Sequence, residues 1–582
     1  MEVLIRIVRI GLGFLKRVVV HLLNLEMTKE GKNMTEEATH EEVGVVFPSP
    51  DEGERVVVRF KSEAGIRYTG TEFASVAQAD VSGLRELLEK HTDITVERMF
   101  EQTEDTLDRE VASVASESGE EVPALSGYYN ITAKDTEQAV AICTNLEEYP
   151  DVDEVYIEPK AAPAIFEEPA EILSEEAPPA TPDFTARQGY LNAAPGGVDA
   201  RYAWTQGGGK GDKVQVTDIE GAWNFSHEDL RQNQGGVVGG TPTSNSSWEN
   251  HGTAVQGEIG GDENQIGIVG IAPDSKFSAV SIFGSGNSSA KAIKTAADKL
   301  NRGDSILIEL HRPGPNATGS GQFGYIPIEW WSADFDAVKY ATAKGVIVIA
   351  AAGNGFQNLD AAVYQGRFNR NTRDSGAILV GAGAPPSGNY GPDRSRLSFS
   401  NYGAIVDAQG WGREVTTAGY GNLQGGSDKN KWYTRSFSGT SSASPIVVGA
   451  VACLQSVQKT RGGAPLTYAQ IRDKLRNTGS PQTDAPGRPK SQRIGNRPNL
   501  RQLITVPPAK AWHYNKSVRY TYAHHTTQAV WAYIDILGWR RIKSGAADGV
   551  TNMFAVCCEA AANNRKVHVY ADGTFIYTVY LV

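Results

Sequence analysis

The chain has 582 residues, which is too long for one ordinary domain and indicates about three or four. Its formal net charge of -12 argues against nucleic acid as a partner, because phosphate binding depends on concentrated Lys and Arg. The cysteines do not form the disulfide framework of a small secreted domain, and we expect reduced thiols at Cys143, Cys453, Cys557 and Cys558.

Residues 1–50 are predicted to be an N-terminal extension. Residues 1–26 mix apolar and basic side chains, and four cations lie roughly along one helical face: Arg6, Arg9, Lys16 and Arg17. This pattern is typical of a helix that contacts a membrane surface. It carries no clear secretory signal, which would need an uninterrupted apolar run. The alternative is that translation begins at Met27 or Met34.

Residues 51–159 are predicted to form a two-layer α+β domain. Four strands are expected in the segments RVVVRF, TVERMF, GYYNITA and DEVYIEP. Helices are expected in SGLRELLEKH, where Leu84, Leu87 and Leu88 share a face, and in DTEQAVAICTNLEEY, while an acidic stretch near residue 110 is interpreted as an insert. The order is that of a split βαβ repeat, which predicts a ferredoxin-like fold.

Residues 160–185 are predicted to be an exposed linker. Lys160 to Asp183 is rich in Pro, Glu and Ala and includes five prolines, Pro163, Pro169, Pro178, Pro179 and Pro182. Such a composition buries too little apolar surface to order itself.

Residues 186–505 alternate strands and helices, which predicts an α/β domain with a parallel sheet and helices on both faces. The strand candidates are VQVTDI, FSAVSI, SILIEL, VIVIAA and GAILVG. In such sheets functional groups lie at the carboxyl ends of the strands.

Residues 506–582 are predicted to form a small β-rich module, with a hairpin that turns at Asp572-Gly573. Its many Trp and Tyr residues are interpreted as core residues, because a module of this length needs aromatics to bury enough surface.

The segment Ser436 to Gln455, SFSGTSSASPIVVGAVACLQ, joins a small-residue turn to an apolar run typical of a buried helix. Ser441 lies at the junction, where the unpaired N–H groups and the positive dipole end of a helix favour developing negative charge. Gly439 permits close backbone approach, and Pro445 is tolerated in a first turn. The alternative is an ordinary buried helix with a polar N-cap.

A serine nucleophile requires a histidine and a carboxylate. His251 lies in the small-residue segment NHGTAVQGEIGG, and Asp218 and Glu220 end the strand candidate KVQVTDIE. Neither the histidine nor the strand-end acids are by themselves strong evidence for a catalytic site.

Together these segments resemble the subtilisin-like serine protease family, with Asp, His and Ser in that chain order and a strand that runs into AAAGN. The resemblance implies a serine endopeptidase that forms an acyl-enzyme, with Asp218, His251 and Ser441 as the triad. Asn354 and the backbone N–H of Ser441 would then bind the oxyanion. Glu220 is the alternative acid, because it aligns with the family spacing without a gap.

The resemblance has further implications for the chain. Residues 51–159 resemble the family's propeptide, a folding aid and temporary inhibitor, which implies self-processing between the last propeptide strand and about Asp183; an unrelated ferredoxin-like binding domain is the alternative. No cofactor is required for catalysis, but Asp229 and Asn264 resemble a structural calcium site. The partners are polypeptide substrates and the chain's own propeptide, and the family favours a secreted or cell-surface location.

Two departures from the family leave open a second hypothesis, an inactive homologue that serves as a protein-binding scaffold. The acid strand is irregular. Glu309 stands in ILIELHRPG, where the family has a small-residue edge that pairs with substrate. A charged Glu309 at that edge favours a basic side chain before the cut bond, unless it is paired within the fold.

Overall fold

The computed structural model describes residues 44–46, 53–91, 93–169, 180–505, 511–523, 530–543, 547–572 and 575–582. The basic segment 1–26 lies outside these residues. The chain divides into two compact units, Met1–Arg501 and Gln502–Val582.

The first unit begins with an α+β domain. Its strands are β1 (Glu54–Phe60), β2 (Ile66–Tyr68), β3 (Phe73–Ser75), β4 (Thr95–Arg98), β5 (Tyr128–Ala133) and β6 (Val152–Ile157). Its helices are α1 (Ser82–Lys90), α2 (Glu104–Ser118) and α3 (Thr136–Glu147). Four strands form an antiparallel sheet in the order β4-β5-β1-β6, which is the split βαβ order that the sequence predicts.

The core of this domain follows from the alternation along β1. Val56, Val58 and Phe60 point into one cluster, where they meet Ile142 of α3 and Leu84 of α1. The acidic stretch near residue 110 differs from the prediction of an insert, because it forms the 15-residue helix α2. This helix carries Glu104 and Asp105 in its first turn, where acids stabilise a helix N-terminus.

The larger part of the first unit is an α/β domain. Its strands after β7 (Ala162–Pro163) are β8 (Gln215–Glu220), β9 (Gln234–Gly239), β10 (Lys276–Ser281), β11 (Ser305–Ile308), β12 (Leu310–Pro313), β13 (Tyr325–Pro327), β14 (Ile347–Ala351), β15 (Ile378–Gly383), β16 (Val406–Trp411), β17 (Val415–Ala418) and β18 (Tyr433–Phe437). Its helices are α4 (Ala200–Trp204), α5 (Ser246–Gly260), α6 (Ser289–Lys299), α7 (Ser332–Ala343), α8 (Thr440–Thr460), α9 (Tyr468–Asn477) and α10 (Leu500–Thr505).

Seven strands form one parallel sheet in the order β16-β15-β14-β11-β8-β10-β9. All five strand candidates named from the sequence lie in it. Helices α5 and α8 pack together and against strands of the sheet, and α6 and α7 form a second such pair. The predicted sheet with helices on both faces is therefore confirmed, and β8 lies inside it, between β11 and β10.

Helix α8 is the central helix of this domain. Every residue from Thr440 to Val457 is buried. Among the described helices it is long and apolar enough to cross a membrane, but its apolar 18-residue window is fully buried inside the fold. The segment that the sequence identifies as a buried helix is therefore the core helix that carries Ser441.

The described residues of the second unit form five strands and one long helix. They are β19 (Ala511–Ala523), β20 (Val530–Ile534), β21 (Gly538–Ile542), α11 (Ala547–Ala562), β22 (Lys566–Ala571) and β23 (Phe575–Leu581). The strands pair in the order β19-β20-β21-β23-β22, and β22 pairs back onto β19. The predicted hairpin strands β22 and β23 are antiparallel partners.

The aromatic side chains of this unit are not where the sequence interpretation put them. The buried cluster is aliphatic, with residues such as Ile534, Val567 and Ile576 packed near α11. Trp512 is 40% exposed and Tyr520 is 62% exposed. The expectation of an aromatic core was wrong, because α11, which the sequence interpretation did not include, supplies the apolar partner for the strands.

Candidate active site

Ser441 lies in the first turn of α8. The preceding Gly439 has φ 110°, a conformation that favours glycine, and it turns the chain from β18 into the helix. The backbone N–H of Ser441 donates to the carbonyl oxygen of Ala164 at 3.0 Å. The Ser441 hydroxyl is buried and makes no hydrogen bond to any residue that the structure describes.

His251 lies on α5, whose first turn is capped by the Asn245 side chain. Its Nδ1 is 2.6 Å from Oε2 of Glu220, and both side chains are fully buried. The imidazole also packs edge-on against Phe437, with ring centroids 5.3 Å apart. Since α5 packs against α8, the histidine and the serine are carried by neighbouring helices.

Asp218, the acid expected first from the sequence, is directed to other partners. Its Oδ2 accepts from Trp223 Nε1 at 2.8 Å and from Gln256 Nε2 at 3.2 Å. The physical reason is position along β8: Asp218 lies two residues, or about 6.6 Å, further from the carboxyl end than Glu220. The structure therefore pairs His251 with Glu220, the alternative acid.

Burial determines the titration of this pair. It lowers the pKa of His251 to about 3, while the negative charge of Glu168 acts in the opposite direction. It also raises the pKa of Glu220 well above its ordinary value. Burial thus disfavours the charged form of both groups. The neutral imidazole is the form that accepts a proton, and the positive charge that it then gains lowers the pKa of Glu220 again.

Three more carboxyl groups are buried in this domain, and two of them, Asp218 and Glu309, lie near enough to Glu220 to feel its charge. Burial raises the pKa of Asp218, Glu258 and Glu309 well above the ordinary range, and repulsion from Glu220 adds to this effect for Asp218 and Glu309. The Glu309 side chain is buried, and its Oε1 accepts a hydrogen bond from Ser444 Oγ at 2.7 Å inside the fold. Glu309 is therefore paired within the fold, which was the alternative to a role in selecting a basic substrate side chain.

Asn354 follows β14 in the AAAGN segment. Its Nδ2 donates to the carbonyl oxygen of Ala164 at 2.6 Å and to Gln322 Oε1 at 3.0 Å. Its Oδ1 accepts from both the backbone N–H and the hydroxyl of Thr440, each at 2.9 Å. Thr440 thereby fixes which way the amide points. Sequence reasoning did not identify Gln322, which lies in a Gly-rich loop without a recognisable pattern.

Two donors therefore converge on one carbonyl oxygen, that of Ala164. This residue belongs to the segment predicted to be an exposed linker. Residues 161–166 are instead buried, and Ala164 and Ile165 are 0% exposed. The signal for this burial was the apolar run AAPAIF inside a Pro- and Glu-rich stretch. The expectation of an exposed linker was wrong for these six residues.

The same segment pairs with an edge of the α/β domain. Strand β7 runs antiparallel to β12, with Pro163 opposite Leu310 and Ala162 opposite His311. The N–H of Ala164 donates to the backbone carbonyl of Glu309 at 2.9 Å. The segment that the sequence identified as a substrate-pairing edge thus binds an extended backbone, and Glu309 contributes its carbonyl to that binding.

The calcium site expected from the resemblance does not fit the residues present. Asn264 Nδ2 donates to Asp229 Oδ1 at 2.7 Å, so the amide presents hydrogen to the carboxylate. Asp229 Oδ2 accepts from Ile268 N–H at 2.7 Å and from Tyr433 OH at 2.9 Å. Both oxygens are therefore used by protein donors, and the part of the chain that the structure describes holds no cluster of three acidic, His or Cys ligands.

Comparison with known proteins supports the same family. The family model described as the subtilase family matches residues 197–497, just over half of the chain. Subtilisin Savinase of Lederbergia lenta is 31% identical over 274 residues, which cover 46% of this chain and 84% of that protein. The alkaline protease of Alkalihalobacillus alcalophilus is 31% identical over 274 residues, but these cover only 59% of that relative.

Among solved structures, fervidolysin from Fervidobacterium pennivorans is 18% identical, with a TM-score of 0.48 over 83% of this chain and 66% of that one. The family match spans the histidine, the asparagine and the serine described above. The chain belongs to the subtilase family of subtilisin-like serine peptidases.

Proposed function

We propose that this chain is a serine endopeptidase in which Ser441 is the nucleophile, His251 the general base and Glu220 the acid that orients the imidazole. One observation carries the proposal. The carbonyl oxygen of Ala164 accepts hydrogen bonds from Asn354 Nδ2 and from the Ser441 N–H, at 2.6 and 3.0 Å. Donors arranged in this way stabilise the oxyanion that forms when a serine attacks a peptide carbonyl.

The steps follow from these positions. Neutral His251 takes the proton of the Ser441 hydroxyl as the oxygen adds to the carbonyl carbon, and the charged imidazole is stabilised by Glu220 across the 2.6 Å contact. The oxyanion is held by Asn354 and the Ser441 N–H. His251 then protonates the leaving amine, which gives an acyl-enzyme that water hydrolyses.

We infer that the chain is made as a zymogen that processes itself and whose N-terminal α+β domain acts as the inhibitor. Charged contacts between this domain and the α/β domain support this role. Glu158 lies 3.2 Å from Arg312, and Arg59 lies 3.0 Å from Asp336. The linker after Glu158 occupies the edge β12, where a polypeptide substrate would bind. The substrates are accordingly extended polypeptides.

The scaffold hypothesis rested on the irregular acid strand and on Glu309, and it would gain support if no carboxylate lay near His251. Glu220 lies within hydrogen-bond reach of Nδ1, so this argument for an inactive homologue is lost.

A fluorophosphonate probe, which reacts with activated serines, tests the proposal. We expect the wild-type protein to be labelled at Ser441 and to hydrolyse casein, and Ser441→Ala to do neither. Ser442→Ala is the matched control, because Ser442 is the adjacent buried serine and its hydroxyl donates to the backbone carbonyl oxygens of Trp411 and Gly439. A folded wild-type protein that is neither labelled nor active would overturn the proposal.

A further inference from the structure

We propose that maturation cuts the bond between Ala164 and Ile165, and that Phe166 anchors the residues that follow this bond in an aromatic pocket. This inference rests on the proposed function and adds to it the scissile bond and a specificity determinant. With this pocket the enzyme selects substrates by the residues that follow the cut bond.

The register of the linker selects this bond. Pro163 and Ala162 pair with β12, and the Ala164 N–H donates to Glu309, so each residue before the bond is held by backbone contacts. The carbonyl oxygen of Ala164 accepts hydrogen bonds from both Asn354 Nδ2 and the N–H of Ser441. The Pro163 carbonyl instead meets Gln322 Nε2, at 3.3 Å, and the His311 imidazole.

Gly439 packs directly against the backbone on both sides of the Ala164–Ile165 bond. A Cβ at this residue would lie 2.3 Å from the Ala164 oxygen and 2.8 Å from both Ile165 Cα and Phe166 N. The turn that delivers Ser441 therefore touches the backbone from Ala164 to Phe166. A side chain at position 439 would displace this segment.

Phe166 fills a pocket on the side that follows the bond. Its ring stacks on Phe399 with centroids 4.1 Å apart and an interplanar angle of 14°, and it meets Phe356 edge-on at 6.0 Å. The Arg413 guanidinium lies 4.9 Å from the ring centroid. Only 1% of the Phe166 surface is exposed, so the pocket buries nearly the whole aromatic side chain. Such burial contributes strongly to the binding of the residues that follow the bond.

Neighbouring contacts fix Phe166 in this register. The Glu167 N–H donates to Ser438 Oγ at 3.1 Å, and the Glu167 carboxylate pairs with Arg413. The Val45 N–H donates to the Phe166 carbonyl at 3.2 Å. The chain is thus held on both sides of the Ala164–Ile165 bond.

The cut balances as an ordinary hydrolysis. The Ser441 oxygen forms an ester with the Ala164 carbonyl carbon, the bond to the Ile165 nitrogen breaks, and the serine proton reaches that nitrogen through His251. Water then supplies OH to the Ala164 carbon and a proton to the Ser441 oxygen. The products end at Ala164 and begin with the amine of Ile165.

N-terminal sequencing and intact mass spectrometry of the purified protein locate the cut. We expect a polypeptide that begins Ile165-Phe166-Glu167 and a fragment that ends at Ala164. A protein that reacts with the fluorophosphonate probe and hydrolyses casein but begins at another residue would overturn this inference and leave the proposed function intact. Loss of labelling and of casein hydrolysis would instead contradict the proposed function.

The pocket is tested with variants of the linker. Phe166→Ala should slow the appearance of the Ile165 terminus by about 10- to 200-fold, the range expected when an apolar contact is removed from a binding pocket. Phe184→Ala is the matched control, because Phe184 lies in the same linker but packs on Tyr433 instead of the pocket. Equal processing rates for the two variants would overturn the role of Phe166.

Synthetic peptides separate recognition from folding. The processed wild-type enzyme is given a peptide with the sequence of residues 159–170, and the same peptide with Phe166→Ala. We expect cleavage after the residue equivalent to Ala164, and a kcat/KM lower by about 10- to 200-fold for the variant peptide. Because the change lies in the substrate, enzyme folding does not affect this comparison. Equal kcat/KM values would overturn the pocket.

Discussion

Nδ1 of His251 lies 2.6 Å from Oε2 of Glu220, and both residues are inaccessible to solvent. A glutamate therefore takes the place in which the resemblance implied an aspartate. It does so because Glu220 is the last residue of β8, at the carboxyl end of the sheet. The longer side chain reaches the imidazole from a strand position that the family spacing allows without a gap.

The first prediction concerns this acid. Glu220→Gln should reduce kcat by about 10³- to 10⁴-fold, because an amide neither stabilises the charged imidazole nor selects its tautomer as a carboxylate does. Asp218→Asn, the matched control, should keep most of the activity, since Asp218 bonds to Trp223 and Gln256. The measurement is steady-state hydrolysis of a peptide by each variant.

Thermal unfolding of both variants controls for misfolding. Equal losses of kcat in folded Asp218→Asn and Glu220→Gln would contradict the assignment, and a larger loss for Asp218→Asn would restore Asp218 as the acid.

The second prediction concerns Asn354. Asn354→Ala removes one of the two donors to the Ala164 carbonyl. Removal of the equivalent kind of donor from a subtilisin costs about 10²–10³ in kcat, and we expect the same magnitude here. KM should change little, because the donor acts on charge that develops in the transition state. An increase in KM at unchanged kcat would mean that Asn354 only binds substrate.

The third prediction concerns the contact between the N-terminal domain and the α/β domain. Glu158 is 5% exposed and pairs with Arg55 at 2.9 Å and with Arg312 at 3.2 Å. In the uncut Ser441→Ala background, Glu158→Ala leaves the buried Arg312 short of a counter-charge and should lower the free energy of unfolding by about 3–5 kcal/mol.

Urea unfolding measures this change. Glu148→Ala is the control, because Glu148 is an exposed glutamate of the same domain. Indistinguishable unfolding curves for the two variants would show that the buried pair does not stabilise the uncut chain.

The fourth prediction is a dependence of stability on pH. Burial raises the pKa of Glu258, and neither of its carboxylate oxygens has a hydrogen-bond partner among the described residues. A carboxyl group with a raised pKa in the folded state contributes its stability in full below its unfolded pKa and loses it as pH rises through the folded value. The free energy of unfolding should therefore fall with rising pH.

The buried histidines act in the opposite direction over a lower range. Burial lowers the pKa of His227 to about 4 and that of His311 to about 3, so their contribution increases with pH and is complete above about pH 6.5. Above about pH 6.5 the buried carboxyl groups determine the slope.

Ser441→Ala and the double variant Ser441→Ala/Glu258→Gln are compared by urea unfolding across this range. The single variant should lose up to about 1.4 kcal/mol more per pH unit than the double variant. Parallel pH profiles would mean that Glu258 titrates normally in the folded chain.

Much of the fold followed from the sequence because its signals are local. The run of valines in β1 and the β-branched strand that ends at Ala351 predicted their elements directly. The serine helix was predicted from its run of small and apolar residues. These patterns depend on neighbours in the chain, so they are readable without tertiary contacts.

The rest depended on contacts between distant residues. The choice between Asp218 and Glu220 is made by the position of α5 relative to β8, which no local pattern contains. Residues 161–166 are ordered by an edge about 150 positions away, which composition does not reveal. The exposed aromatic residues of the second unit were expected in the core because the sequence did not predict the helix Ala547–Ala562.

The most direct test is the intact mass of the wild-type protein after reaction with the fluorophosphonate probe, compared with Ser441→Ala. We predict one labelled polypeptide that begins at Ile165 and carries a single probe on Ser441, while the variant stays full length and unlabelled. A folded wild-type protein that stays full length and unlabelled would contradict the account.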